Sequence, residues 1–106
     1  MNYKKFKKIK KTVNGKKYTL HIADSPKKRL WGFSNIKPKD VPKNHGILFV
    51  YPDSKIRTFT MKKTKLKLKI IFCDENFENF ETKIGYPGNL SITSSKPAKY
   101  VIEIPM

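Results

Sequence analysis

The chain has 106 residues and is poor in several residue types, which limits the chemistry it can perform. Its one cysteine, Cys73, excludes an internal disulfide and a cysteine-based zinc site, and a free thiol in an apolar segment is usually a small buried hydrophobic group. The two histidines lack recognisable partners, so we expect His21 on the polar face of a strand and His45 in a loop. No spacing typical of a zinc site, a calcium site or a catalytic triad is present.

Long apolar runs and glycine-rich segments are also missing. No apolar run could cross a membrane, and the basic N-terminus is not followed by the apolar segment of a secretory signal. The five glycines are isolated, so no phosphate-binding loop is predicted, and we expect no cofactor. These absences predict a chain that is cytoplasmic at synthesis and either stays there or is packed into an assembly built there.

Acidic residues and arginine are scarce, whereas lysine is abundant. The formal net charge is +16, and Arg29 and Arg57 are the only arginines. Such a charge repels itself in a compact domain, so an acidic neighbour would relieve it. Lysine acts as a point charge, whereas specific phosphate or base recognition favours the planar guanidinium of arginine. An AT-rich coding sequence would produce the same bias. The composition favours an acidic protein surface or larger assembly as partner, with nucleic acid as an alternative.

The clearest pattern is an alternation of lysine and apolar residues between Lys63 and Phe72. Side chains alternate between the two faces of a strand, so this pattern predicts a half-buried strand, whereas a helix would distribute the lysines around its circumference. Four lysines would share the solvent face: Lys63, Lys65, Lys67 and Lys69. They could follow a phosphate backbone, or they could protect an outer strand from edge-to-edge aggregation.

The remaining elements are mostly short strands. Asn14-Gly15 predicts a hairpin turn, and Asp24-Ser25-Pro26 predicts the start of a helix that packs Leu30 and Phe33 inward. Further strands are expected near residues 9–13, 18–22, 47–51, 56–61, 80–86 and 100–104. The pattern indicates a mainly β (α+β) domain over residues 1–106. We expect a small antiparallel β-barrel or rolled sheet of about six or seven strands, with one short helix near 26–34 and a loose basic arm at 1–8.

Several ordered segments carry a family resemblance. Arg29, Gly32 and Phe33 look like a family segment in which an arginine precedes Gly-Leu-Met, and residues 46–51 look like its Gly-Met-Leu-Phe-Val-Phe strand. Residues 59–74 and 97–103 look like its Phe-Trp-Met-Lys-Asn-Thr, Leu-Asp-Ile-x-Phe-x-Asp and Pro-Ala-x-Tyr-Val-Leu-Glu segments. From about residue 18 to 104 the chain resembles the uncharacterised family called domain of unknown function 192. The resemblance implies a compact β-rich domain and no established reaction.

The chain departs from this family pattern at polar positions. The tryptophan of the family is Thr60 here, its asparagine is Lys63, its proline is Lys67 and its aspartate is Lys69. If the family has a polar site, this chain keeps only Arg29 and Lys62 of it, so we expect any inherited chemistry to be lost. The chain also ends at Met106, where relatives usually continue through another short strand.

These observations favour a non-catalytic structural or interaction module that docks on an acidic protein surface. A virus-encoded accessory protein or virion component would suit the composition. The predicted contact surface comprises the four alternating lysines and Lys4, Lys5, Lys7, Lys8, Lys10 and Lys11, with Trp31 as a candidate anchor. Two alternatives stay open: a sequence-nonspecific nucleic-acid-binding protein, and an enzyme acting on a small anionic ligand through Arg29 and Lys62.

Overall fold

A computed structural model describes residues 2–106 and is mainly β, as predicted. Its eight strands are β1 (Lys8–Val13), β2 (Lys16–Ala23), β3 (His45–Lys55), β4 (Thr58–Phe59), β5 (Leu68–Cys73), β6 (Asn79–Gly85), β7 (Ile92–Thr93) and β8 (Ala98–Pro105). The helix α1 spans Pro26–Trp31, and short 3-10 helices span Tyr3–Lys5 and Pro38–Asp40. No helix among the described residues is both long enough and apolar enough to span a membrane.

Six strands form one mixed sheet in the order β1-β2-β3-β8-β5-β6, and β4 pairs with β7 in a small second sheet. The expectation of a wholly antiparallel sheet is wrong because β2 and β3 are parallel. Parallel neighbours require a crossover connection, and here that connection carries α1 and the loop up to His45.

The sheet is rolled but is not closed into a barrel. Its two edges approach each other where the Asn79 Nδ2 atom donates a hydrogen bond to the Asn14 Oδ1 atom over 3.2 Å. Nearby, the Lys11 ammonium group lies 4.0 Å from the centroid of the Phe77 ring. The rolled sheet is therefore confirmed, whereas the barrel alternative is not what the strand order shows.

The sheet is buried on both faces. One cluster, between the sheet and α1 with its loops, includes Phe33, Phe49 and Phe72. The other lies inside the curl, where Val13 of β1 and Ile71 of β5 belong to one cluster although three strands separate β1 from β5 in the sheet. Strand β5 is consequently buried on both sides, which corrects the prediction of one solvent-exposed face.

Most of the predicted lysine-striped strand is irregular. Only Lys69 of its four lysines lies in β5, because the chain turns at residues 62–63 and forms an isolated bridge between Ser34 and Thr64. The alternation of burial persists, since Thr64, Leu66 and Leu68 are buried and the lysines between them are exposed. The alternation therefore arises because residues 63–67 lie against the main core with every second side chain buried, although they do not form a strand of the sheet. The predicted strand at 56–61 likewise shrinks to β4.

Helix α1 begins as predicted but packs differently. The Ser25 Oγ atom accepts a hydrogen bond from the backbone N–H of Lys28 over 3.3 Å, and Pro26 occupies the first turn. The helix ends before Gly32, whose φ of 43° lies in the left-handed region. Because the helix has only six residues, Leu30 remains 78% exposed, contrary to expectation, whereas Phe33 is buried as predicted.

The N-terminal segment is packed against the domain in its described part. Tyr3 and Phe6 are 1% and 3% exposed and belong to the main core, so residues 3–6 are not the loose arm expected from their charge. The two aromatic rings are buried because contact with water is unfavourable for their apolar surface, whereas the neighbouring lysines stay exposed. The lysines are therefore presented from a fixed backbone.

We expect Tyr3→Ala to lower the free energy of unfolding by about 3 kcal/mol, because it removes a fully buried aromatic ring. The neighbouring exposed-residue variant Lys4→Ala should change it by less than about 0.5 kcal/mol. Urea denaturation followed by circular dichroism measures both. Equal effects of the two variants would mean that the segment does not pack as described.

Candidate functional site

The last strand brings a carboxyl group into the main core. β8 lies between β3 and β5, and Glu103 is directly opposite Ile47 on one side and Ile70 on the other. Because strand side chains alternate, Glu103 shares its face with Val101 and points towards α1 and not into the curl. The residue is only 4% exposed.

Glu103 lines a small cleft beside α1, with a volume of about 40 Å³. The other lining residues include four aromatic side chains and four that carry hydrogen-bond donors; these are Trp31, Phe33, Phe49, Phe59, Arg29, Ser34, Thr60 and Thr64. Gly32 also lines the cleft, and a Cβ atom there would lie 3.1 Å from the Phe49 ring. Because Gly32 has no side chain, the space next to the Phe49 ring stays open.

The carboxyl group of Glu103 has no partner within residues 2–106. It forms no ion pair, and no side chain or backbone group of these residues makes a hydrogen bond with it. Burial raises the pKa of Glu103 from 4.5 to about 8. At neutral pH the group is therefore largely protonated and can donate one hydrogen bond through its O–H.

Arg29 is the one basic residue among those that line the cleft. Its Nη1 atom donates to the Val50 carbonyl oxygen over 2.8 Å, and its guanidinium carbon lies 4.9 Å from the Tyr51 ring centroid. The other arginine, Arg57, also packs on Tyr51, with its guanidinium carbon 3.8 Å from the ring centroid. This arginine forms an ion pair, in which its Nη2 atom is 3.0 Å from the Asp53 Oδ1 atom. Burial raises the pKa of Tyr51, although the two arginines oppose that change. Unlike Arg57, Arg29 forms no ion pair within residues 2–106.

The structure separates the two residues predicted to form a residual polar site. Arg29 lines the cleft, whereas Lys62 lies in an exposed turn and does not line it. Trp31, the candidate anchor, is half-buried in the cleft wall, and the Lys27 ammonium group lies 5.2 Å from its ring centroid. Sequence reasoning missed Glu103 because it assigned Tyr100, Ile102 and Ile104 to the one buried face. The sequence did carry a signal for the burial of Glu103: Val101 is apolar and lies on the same strand face, which indicates that this face is buried too.

The N-terminal lysines lie on both faces of the β1–β2 hairpin. Residues directly opposite each other in an antiparallel pair share a face, so Lys8, Lys10 and Lys17 share the outer face. Lys11 and Lys16 are directed into the curl, where they line cavities with apolar residues. Lys4, Lys5 and Lys7 precede the hairpin and are exposed. Lys63, Lys65 and Lys67 are exposed on the separate irregular segment before β5.

The two histidines form a pair, which the sequence did not indicate. The His21 Nε2 and His45 Nδ1 atoms are 2.9 Å apart, and the Tyr3 ring covers His21 edge-on at 4.8 Å. His21 is 2% exposed, so its predicted location on a polar surface is wrong. Burial lowers the pKa of His21 to about 4, helped by His45 and Lys8, and burial also lowers the pKa of His45. No group of three or more His, Cys, Asp or Glu within residues 2–106 is placed to hold a metal ion.

The sequence profile of the family described as "Uncharacterized ACR", domain of unknown function 192, matches residues 9–106. The chain therefore belongs to this family, as the resemblance implied. No curated protein matches it.

Two solved structures share the fold. One is a Sinorhizobium meliloti protein described as a candidate transcription regulator, with 23% identity and a TM-score of 0.77 over 85% of this chain and 70% of that one. The other is a Novosphingobium aromaticivorans protein of unknown function, with 17% identity and a TM-score of 0.76 over 92% and 71% of the two chains. At these identities the likeness establishes the fold alone.

The buried carboxyl should make stability depend on pH. Its unfolded pKa is 4.5 and its folded pKa is about 8, so its contribution is fully present below pH 4.5 and is lost as the pH rises through 8. Glu103→Gln, which cannot ionise, should therefore gain stability relative to wild type between pH 5 and 8.5, by an amount on the order of 3 kcal/mol. Urea denaturation at both pH values measures the difference, with Glu78→Gln as the exposed control. A difference that does not change with pH would show that Glu103 titrates normally.

The histidine pair should act in the opposite direction. Because the folded pKa of His21 is lowered to about 4 from 6.5, its contribution is present above pH 6.5 and is lost as the pH falls towards 4. Between pH 7 and 4.5 wild type should lose on the order of 2 kcal/mol relative to His21→Gln. Thermal or urea unfolding of both proteins across this range tests the sign, and parallel pH profiles would contradict it.

Proposed function

We propose that this protein is a non-catalytic interaction module that binds an acidic protein surface through its basic hairpin, defined as residues 4–17. Eight lysines lie in this segment, and the first acidic residue of the chain is Asp24. None of the eight forms an ion pair within residues 2–106. A concentrated, uncompensated charge on an ordered surface is the single observation that carries the proposal, because an acidic partner would remove the repulsion among these groups.

The geometry of the basic hairpin supports a protein partner. Lys8 and Lys10 are two positions apart on β1, so their Cα atoms are roughly 6.7 Å apart, and Lys17 shares their face from β2. β1 is also an edge strand that pairs with β2, and the opposite edge of the sheet contacts it near Lys11 and Asn14, so its Lys8–Lys10 end is the part that could pair with an added strand. Carboxylates on such a strand could contact these ammonium groups from several directions, because lysine, unlike the planar guanidinium of arginine, imposes no fixed pairing geometry. Long-range attraction to the +16 chain would accelerate the encounter.

Nucleic acid is a second candidate, favoured by aromatic rings that lie next to lysines. The Lys67 ammonium group is 5.2 Å from the ring centroid of Tyr86, which is 53% exposed, and the Lys16 ammonium group is 5.7 Å from that of the partly buried Tyr18. Exposed rings beside cations can stack with bases while the lysines contact phosphates. The regulator description of the Sinorhizobium relative is consistent with this candidate but concerns that protein. A role in a virus particle stays a prediction from composition.

Three triple variants with the same change in charge test the proposal. Lys8→Gln, Lys10→Gln and Lys17→Gln remove the outer face of the basic hairpin, and Lys63→Gln, Lys65→Gln and Lys67→Gln remove the second lysine group. The matched control is Lys37→Gln, Lys39→Gln and Lys96→Gln. Fluorescence anisotropy measures the affinity of each for labelled polyglutamate and for labelled single-stranded poly-dT across salt concentrations.

We expect the hairpin triple to weaken polyglutamate binding at least tenfold and the control by less than threefold. Tighter binding to poly-dT than to polyglutamate would favour the second candidate, with a log–log salt slope of roughly −0.7 per phosphate contact. Equal losses for all three triples would mean that net charge alone, and not the hairpin, determines binding, and would refute the proposal.

A further inference from the structure

The cleft beside α1 contains two ionisable groups whose hydrogen-bonding capacity is unused. Glu103 is 4% exposed and forms no ion pair, although the chain carries 24 lysine and arginine residues and four ion pairs form within residues 2–106. Its carboxyl oxygens are not among the fully enclosed unpartnered atoms, so they keep contact with the cleft. Burying an unpaired polar group lowers stability, and an apolar residue between Ile47 and Ile70 would avoid that penalty. A purely structural role therefore does not account for a carboxyl group at this position.

The groups that line the cleft are mainly donors. Arg29 uses one N–H on the Val50 carbonyl oxygen, and its guanidinium has four further N–H groups. Ser34 and Thr64 also line the cleft, and each carries a hydroxyl group that can donate. With the Glu103 O–H they form a set that suits a ligand group rich in acceptors. Because the Arg29 guanidinium forms no ion pair among residues 2–106, a negatively charged ligand group would be preferred.

Charge and composition argue against a cationic occupant. An ammonium group would be repelled by Arg29 and by the net charge of +16. A divalent metal ion would find one carboxyl group, and no cluster of three or more metal-ligating side chains exists among residues 2–106. The same net charge would raise the local concentration of small anions around the molecule.

The size of the cleft limits the ligand. A volume of about 40 Å³ accommodates a few water molecules or a planar group of three heavy atoms, but not a whole metabolite. The planar aromatic walls and the planar guanidinium fit a carboxylate, which arginine can bind through two parallel hydrogen bonds. Exposed Leu30 and Thr60 line the same cleft, so the remainder of the ligand would contact them outside.

We propose that this cleft binds the carboxylate group of a small organic acid, which accepts hydrogen bonds from the O–H of Glu103 and from Arg29. This site is independent of the basic hairpin, and neither proposal requires the other. No bond of the ligand is broken in the proposed step. The event is binding, coupled to the proton on Glu103.

The coupling gives the site a characteristic pH dependence. Arg29 on α1 lines the same cleft as Glu103, Tyr51 on β3 is close enough for the Glu103 charge to raise its pKa, and β5 faces Glu103 with apolar side chains such as Ile70. A bound carboxylate requires the protonated form, so affinity should fall about tenfold between pH 7 and 9 as Glu103 loses its proton. An ammonium ligand would give the opposite sign, because it would favour the ionised carboxylate.

Intrinsic fluorescence offers a direct readout, because Trp31 lines the cleft and is the only tryptophan of the chain. Wild type is titrated with sodium acetate at pH 7, 8 and 9, with sodium chloride at equal ionic strength and ethylammonium chloride as comparisons. We expect a saturable acetate-specific change whose affinity falls about tenfold from pH 7 to 9. Calorimetry in two buffers of different ionisation enthalpy should show proton uptake at pH 8.

Four variants assign the effect to its residues. Glu103→Gln keeps a donor but cannot ionise, so it should bind acetate with no pH dependence. Arg29→Gln should lose at least tenfold in affinity, and Arg29→Lys, which keeps the charge, should lose less. Lys62→Gln, outside the cleft, should behave as wild type. Circular dichroism confirms that each variant is folded before the titration.

Three results would overturn the proposal. They are a chloride response equal to that of acetate, tighter binding of ethylammonium than of acetate, and a pH dependence that persists in Glu103→Gln. The hairpin triple variant serves as a cross-check, because it should leave the acetate response within about threefold of wild type. Failure of the polyglutamate experiment would leave this result unaffected, so the two proposals can be judged separately.

Discussion

The burial of β8 on both faces is the constraint on which the rest of the structure depends. β8 pairs with β3 and β5, so its side chains face either the curl of the sheet or the layer formed by α1 and the loops. Ile102 and Ile104 fill the curl, and Val101 helps to fill the other side. Glu103 has no solvent-facing alternative on such a strand. Its burial and its raised pKa both follow from the position of this one strand.

The rolled sheet also determines where the positive charge can lie. Buried positions of the six strands are mostly occupied by apolar side chains, so most of the lysines lie in the hairpin at one edge, in the helices and turns and in the irregular segment before β5. The other four strands of this sheet carry one lysine each, at Lys55, Lys69, Lys83 and Lys99. The β1–β2 hairpin extends across the curl and carries lysines on both sides, in contact with solvent outside and with rings such as Phe77 inside. Packing of Tyr3 and Phe6 holds the preceding lysines near this hairpin. Charge is thereby concentrated on a surface with a defined shape.

The two proposed binding regions differ in physical character. The basic hairpin is exposed, rich in flexible point charges and suited to many weak contacts that salt would screen. The cleft is small and lined by rigid rings, so a single ligand group would be held by a few directed hydrogen bonds. An ionisable group whose pKa is strongly shifted by burial and that adjoins a cleft is a functional-site candidate. The first region would contribute to the rate of encounter, and the second to chemical selectivity.

Local sequence signals were sufficient for several features. Asn14-Gly15 forms the hairpin turn with positive φ at both residues, and the Ser25-Pro26 pair starts α1, because backbone preferences at turns and caps act over a few residues. The segments 46–51 and 97–103 supported both the mainly β class and the family assignment, since long apolar strands depend little on their neighbours. Arg29 of the cleft was also named from sequence, on the basis of the family pattern.

Other features depended on contacts between distant residues. Alternating lysines indicated which side chains of residues 63–67 are exposed, but whether that backbone joins a sheet depends on a neighbouring strand, and Ser34 provides only one bridge. The parallel pairing of β2 with β3, the contact of His21 with His45 and the exposure of Leu30 likewise depend on the packing of distant segments. The sequence by itself therefore determined the turns, the apolar strands and the excess of charge. Only the tertiary structure decided that β8 lies at the centre of the sheet and that Glu103 is buried, because burial is a property of what surrounds a residue and not of the residue itself.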